Sequence, residues 1–149
     1  MLVTNHVLSG ALVGALIGRP LPAFAAGVVS HFSLDVVPHW GVHDYDEFLA
    51  VAVRDGLAGL GAIAVLGAMA QPARRPAVLA GMAGAAFPDL DKPSRLFFKR
   101  SPFPRALDEF HMRIQREDPS RMRQELAVGA GLLLAAGALL RRRRRSHEG

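Results

Sequence analysis

Small and apolar residues recur at every fourth position in two neighbouring stretches of this chain. His6, Gly10, Gly14 and Gly18 form one stripe, and Ala23, Gly27, His31 and Asp35 form the next. With about 3.6 residues per turn, each set lies along one helix face as a slightly slanting row. Rows of small residues let two helix backbones approach closely, a packing typical of membrane helices. The pattern predicts a first helix from Thr4 or Asn5, either of which can cap it, to about Gly18. Arg19-Pro20-Leu21-Pro22 is then a turn, with Pro22 suited to the first position of a second helix. Pro38 closes that helix by disfavouring helical geometry at Val37. A third helix covers about Phe48 to Ala70, with Arg54 and Asp55 near its start and an apolar run from Gly56 to Ala70. A fourth runs from Pro76 to about Phe87 and ends in Pro88-Asp89-Leu90-Asp91-Lys92-Pro93. Ser94–Arg105 reads as a basic, Phe-containing loop suited to a headgroup surface. Ala106–Glu117 reads as a short amphipathic helix, with Leu107, Phe110, His111 and Ile114 on its apolar face. Asp118-Pro119 introduces a last helix whose apolar part, Leu126–Leu140, is closed by Arg141–Arg145.

An internal repeat underlies this order. At an offset of 54, Pro22 matches Pro76, Ala23 matches Ala77, Ala26 matches Ala80, Gly27 matches Gly81 and Asp35 matches Asp89. Each half reads as a helical hairpin delivering an aspartate at the end of its second helix. The expected architecture is all-α: a small multi-helix membrane bundle of two tandem hairpins, an amphipathic helix and a C-terminal apolar helix. Residues 1–93 hold the hairpins, 94–118 the basic loop and amphipathic helix, and 119–145 the last helix with its arginine tail, in a single domain of 149 residues. A bilayer span needs about 20 residues; the third and last helices come closest to that length. A mean hydropathy of only +0.20 keeps a soluble all-α protein that binds anionic membranes as an alternative. The basic residues divide almost evenly between the two ends, so they assign no orientation.

The formal net charge is +5, and Arg141–Arg145 alone supply five positive charges. Because the basic residues flank apolar helices and no nucleic-acid-binding motif is present, anionic lipid headgroups are the expected partners and nucleic acid is not. Val7–Gly18 followed by Ala23-Phe24-Ala25 imitates a cleaved signal peptide, but no Lys or Arg precedes it. Trp40 and Tyr45 are expected as interfacial anchors. The chain has no Cys, which excludes thiolate zinc sites.

The candidate chemistry lies at one end of the bundle. Counting outward from Pro20, His6 is fourteen residues before it and Leu34 fourteen after. Two antiparallel helices therefore bring His6 beside His31 and Asp35. His6, His31, Asp35, His39, Asp55, Asp89, Asp91 and His111 are all expected at this end. Burying so many ionisable groups is costly unless they pair or bind a cation. Mixed imidazole and carboxylate ligands suit a divalent Zn, Mn, Fe or Ni ion. His6, His31, Asp35, Asp89 and His111 are the first-choice ligands, followed by His39 and Asp91, with Asp91 alternatively orienting the attacking water. His43 is a weaker candidate in the loop. Each residue also has a simpler reading: His31 and Asp35 as a buried hydrogen-bonded pair, His111 as a core histidine, Asp89 and Asp91 as helix-end residues.

An N-terminal His before a Gly-rich helix, Ser30-His31-Phe32-Ser33-Leu34-Asp35 with Pro38-His39, and Pro88-Asp89-Leu90-Asp91 together resemble the bacterial membrane-bound metal-dependent hydrolases, also called LexA-binding, inner-membrane-associated hydrolases. The likeness covers roughly residues 4–41 and 81–93, with an extension to Phe110-His111. Lys92 stands where the family usually has His, and of its downstream histidine-rich stretch only His111 has a counterpart. The resemblance implies a multi-pass protein of the inner (plasma) membrane and metal-dependent hydrolysis. Phosphoesters in or near lipid are the expected substrates. The alternative is a non-enzymatic integral membrane protein with a structural His/Asp cluster.

Overall fold

A computed structural model describes residues 1–42 and 44–145, the side chains of 144 and 145 excepted. The candidate His43 and residues 146–149 lie outside the described residues. The described residues form α1 (Val3–Ile17), α2 (Pro20–Asp35), α3 (Tyr45–Met69), α4 (Arg75–Ala86), α5 (Asp91–Phe98), α6 (Arg105–Ile114) and α7 (Met122–Arg145). Short 3-10 turns at Phe87–Leu90 and Pro119–Arg121 join α4 to α5 and α6 to α7. Among the described residues there is no strand.

The glycine stripes position everything else. α4 lies against both α1 and α2, and a β-carbon at Gly10, Gly14 or Gly27 would collide with the α4 backbone at Gly81 or Ala77. Such close approach is possible only where side chains are absent. α1 and α4 run antiparallel, with Gly10 facing Gly81 and Gly14 facing Ala77. The tightest unit is therefore the α1–α2–α4 trio, while α3 and α7 lie mainly on α1. Val7, Leu8, Ala11 and Ala15 of α1 form the core with Leu66, Val78, Met82, Ala136 and Leu140. Gly18 ends α1 at a positive φ of 71°, which glycine adopts without a Cβ penalty, and its N–H bonds to Gly14 O at 3.0 Å.

α3 and α7 are long and apolar enough to cross a membrane. Leu57, Leu60 and Val65 of α3, and Leu126, Leu133 and Leu134 of α7, are exposed. The apolar faces of these two helices are thus left largely uncovered by the rest of the fold.

Several expectations need correction. α1 starts at Val3 with no side-chain cap from Thr4 or Asn5. Its free N–H groups are satisfied from other helices instead: Asp55 of α3 accepts from Val3 N (2.6 Å) and Thr4 N (3.2 Å), and Glu125 of α7 from Leu2 N (3.3 Å). Asp55 therefore caps α1 rather than joining the histidines. α2 begins at Pro20, two residues before Pro22. Residues 91–98 are helical, although 94–98 are expected as loop. Pro93 is tolerated there because the third position of a helix has no partner for its N–H. Trp40 is only 7% exposed, with its backbone N–H on Glu125 Oε1 at 3.1 Å, so it is no interfacial anchor; Tyr45 is exposed.

Candidate metal centre

The antiparallel pairing of α1 and α2 sets His6 level with His31. One turn farther along α1, Ser9 Oγ meets Ser30 Oγ at 2.8 Å. The His6 and His31 rings stack, with centroids 3.9 Å apart and planes at 25°. His31 and Asp35 share a face of α2 at i,i+4 spacing, and the C-terminal end of α4 brings up Ala85 and, through the 3-10 turn, Asp89. α6 closes the site with His111.

Asp35 is the centre of this arrangement and is fully buried. Its Oδ1 lies 3.1 Å from His6 Nε2 and 2.8 Å from the Met1 amino nitrogen. Its Oδ2 lies 3.1 Å from His31 Nε2 and 2.9 Å from His111 Nε2. The Nε2 atoms of His31 and His111 are 3.1 Å apart. Asp89 Oδ1 stands 3.9 Å from each of these two nitrogens.

Neutral imidazoles cannot supply a hydrogen to every one of these contacts. A carbonyl can only accept, so His31 Nδ1, 2.7 Å from Ala85 O, carries the proton. In the neutral ring, Nε2 then presents a lone pair to the cluster, the orientation that a second hydrogen bond gives a metal-ligating histidine. His6 is wholly buried, yet neither ring nitrogen has a hydrogen-bond partner: Nε2 is close to Asp35 but off the hydrogen-bond direction. Lone pairs converging in a buried space are costly unless a cation sits among them. Potential ligand atoms lie within 4.8 Å of one another in each of three groups: His6, His31 and Asp89; His31, Asp35 and His111; Asp89, Asp91 and His111. Because the groups share members, all five first-choice ligands and Asp91 belong to one continuous site. These buried histidines and aspartates could hold a metal ion.

A cleft of about 400 Å³ opens on the cluster, lined by Asp91, Lys92, His111, Met112, Gln115 and Glu117. Lys92 Nζ donates to Asp89 Oδ1 at 2.6 Å. Burial works against the charge on Asp89, but Lys92 and the nearby histidines outweigh it and hold the carboxyl well below the usual carboxylate range. Asp91 behaves oppositely: burial pushes its pKa up, and the Lys92 ammonium offsets this only in part. Asp91 Oδ1 is buried without a hydrogen-bond partner.

His39 is buried but turned from the cluster. Its Nδ1 donates to Val37 O (2.8 Å), and its Nε2 meets Gln115 Oε1 (3.3 Å), whose amide nitrogen contacts His111 Nε2 (3.0 Å). Its backbone pairs with the link after α6, through His39 N to Arg116 O (3.0 Å) and Asp118 N to His39 O (2.9 Å). His39 thus supports His111 through Gln115 and belongs to none of the three ligand groups. Gln115, Lys92 and Glu125 are the contributors that sequence reasoning missed. Glu125 is buried and takes Asn5 Nδ2 at 2.6 Å along with the N–H groups of Leu2 and Trp40. Its one signal in the sequence is a lone acid directly before a long apolar run. Asp108 joins α5 to α6 through Arg95 Nη2 (2.6 Å) and Ser101 Oγ (2.9 Å). Comparison with protein-family models, curated proteins and solved structures finds no match to this chain.

Proposed function

We propose that this chain is a multi-pass membrane protein that hydrolyses phosphoesters with the help of a divalent metal ion, in keeping with its resemblance to the bacterial inner-membrane metal-dependent hydrolases. The observation that carries this reading is the convergence of His6, His31, Asp35, Asp89 and His111, with His6 fully buried and neither of its ring nitrogens in a hydrogen bond. The uncovered apolar faces of α3 and α7 support the membrane setting. A metal held by these residues supplies Lewis acidity toward a phosphoryl oxygen and lowers the pKa of water.

The chain's own groups supply the rest. Asp91, raised in pKa and with one free buried oxygen at the cleft, accepts a proton from the attacking water. Water oxygen forms the new bond to phosphorus, the ester P–O bond breaks, and the departing alkoxide takes up the proton. Lys92, a third exposed on the cleft wall, offers positive charge to the phosphate. Gln115 and His39 hold the His111 ring.

The test is metal analysis of detergent-purified protein alongside turnover of bis-p-nitrophenyl phosphate. Wild type is expected to retain metal and to lose turnover on chelation. His31→Ala is expected to lower metal affinity by at least the roughly 10–100-fold typical of an outer-shell partner. Metal retention without turnover would favour a structural cluster; absence of metal at any affinity would refute the reading.

A further inference from the structure

The two long apolar runs begin at one level of the molecule. In α3 the last charged residue before the run is Asp55, which holds Val3 N and Thr4 N. In α7 it is Glu125, which holds Leu2 N. Both polar-to-apolar boundaries therefore coincide with the first turn of α1. His6 closes that turn, three residues beyond Val3 and about 5 Å deeper. Where α3 and α7 cross a bilayer, this level is the headgroup region, and the metal-ligand cluster lies at or just beneath it.

α5 and α6 follow from the same end, because α4 runs antiparallel to α1 and delivers its C-terminus beside His6. Phe97 and Phe98, at the end of α5, are 72% and 73% exposed, and Met112 on the cleft wall is 65% exposed. Lys99 and Arg100 directly follow the two phenylalanines and are exposed too. Large bare apolar side chains beside exposed cations match an anionic headgroup layer, which takes the rings among its acyl chains and pairs the cations with phosphates. Between α5 and α6 opens the cleft that leads to Asp91 and His111.

We propose that the α5–α6 segment lies in the headgroup layer of an anionic bilayer and that the cleft draws its substrate from that layer: an amphiphilic phosphoester whose phosphate reaches Lys92 and the cluster while its acyl chains stay in the membrane. This proposal rests on the phosphoester-hydrolase reading. It adds that the substrate is a membrane lipid and not a soluble ester.

The test uses the full chain reconstituted into vesicles of phosphatidylcholine and phosphatidylglycerol. In the first arm, Phe97→Trp adds a second tryptophan to the buried Trp40. Its emission is expected to shift to the blue and to be quenched by bromine-labelled acyl chains. Water-like emission quenched by iodide would overturn the proposal whatever the activity. In the second arm, metal-loaded protein is given vesicle phosphatidylglycerol, its deacylated headgroup ester or bis-p-nitrophenyl phosphate. A kcat/KM at least tenfold higher on the lipid is expected, and Phe97→Ser with Phe98→Ser is expected to lower the lipid-to-soluble ratio about tenfold. Equal turnover of lipid and soluble esters would overturn the proposal and leave the hydrolase reading standing. Turnover of none of the three would remove both.

Discussion

Glu125→Ala tests how the fold holds His6 in place. The carboxylate is 1% exposed and receives Leu2 N at 3.3 Å, Asn5 Nδ2 at 2.6 Å and Trp40 N at 3.1 Å. Truncation leaves the Trp40 N–H buried without a partner, at about 1–3 kcal/mol; Asn5 Nδ2 keeps its bond to the residue-125 carbonyl (3.1 Å), so its lost second bond and the longer Leu2 bond add less. The acid also lies at the positive end of the α1 dipole, a contribution of about 0.3–1 kcal/mol. Because the contacts share one acceptor they do not add fully, and the expected loss is about 2–4 kcal/mol. Part of that loss appears as opening of the first turn of α1, which carries His6, so metal affinity is expected to fall about 10–100-fold, as for other residues that orient ligands. Glu125→Gln keeps an oxygen for Trp40 N and should fall between the two. The assays are thermal unfolding of the detergent-solubilised protein and titration with a competing chelator. A Glu125→Ala variant that melts within about 0.5 kcal/mol of wild type and binds metal equally well would refute the idea that α1 is anchored by caps from other helices.

Other outcomes follow from the same geometry. Gly81→Ala places a β-carbon against Gly10 O and the Gly14 backbone and should destabilise by about 1–3 kcal/mol in thermal unfolding, while Gly131→Ala, with open space around it, should not destabilise. Asp91→Asn should lower kcat about 10²–10⁴-fold with metal content retained, as removal of a general base does. The same substitution should raise the melting temperature at pH 7: folding raises the Asp91 pKa, so its ionised form opposes folding, and the gain should vanish as the pH falls through the ordinary carboxyl range. Asp89 has the opposite sign. Its depressed pKa makes its pairing with Lys92 stabilising above about pH 4 and lost as the pH falls toward its folded value, so acid unfolding of Lys92→Met should begin at higher pH than in wild type. Bound metal should leave as protons compete with it for the imidazole and carboxylate ligands at falling pH, which dialysis at graded pH followed by metal analysis will show.

The sequence alone determined most of the helices, the small-residue faces of α1 and α2 and the core of the site, although the structure lays both faces on α4 and not on each other. Four-residue spacing dictates which residues share a helix face, and the proline turn at 19–22 dictates that α1 and α2 run back to back; together these placed His6 against His31 and Asp35. The 54-residue repeat likewise carried Asp89 to the same end. Tertiary structure decided what no periodicity encodes. It took Asp55 out of the histidine group to cap α1, buried Glu125 as an anchor, drew Trp40 inward, and turned His39 toward Val37 and Gln115. It also wound residues 91–98 into a helix, setting Lys92 on Asp89 and opening the cleft beside Asp91. The reason is that spacing along a chain fixes which face a side chain occupies, whereas the partner of a buried polar group depends on which helix ends meet, and those meetings are set by packing across more than a hundred residues, as between Leu2 and Glu125.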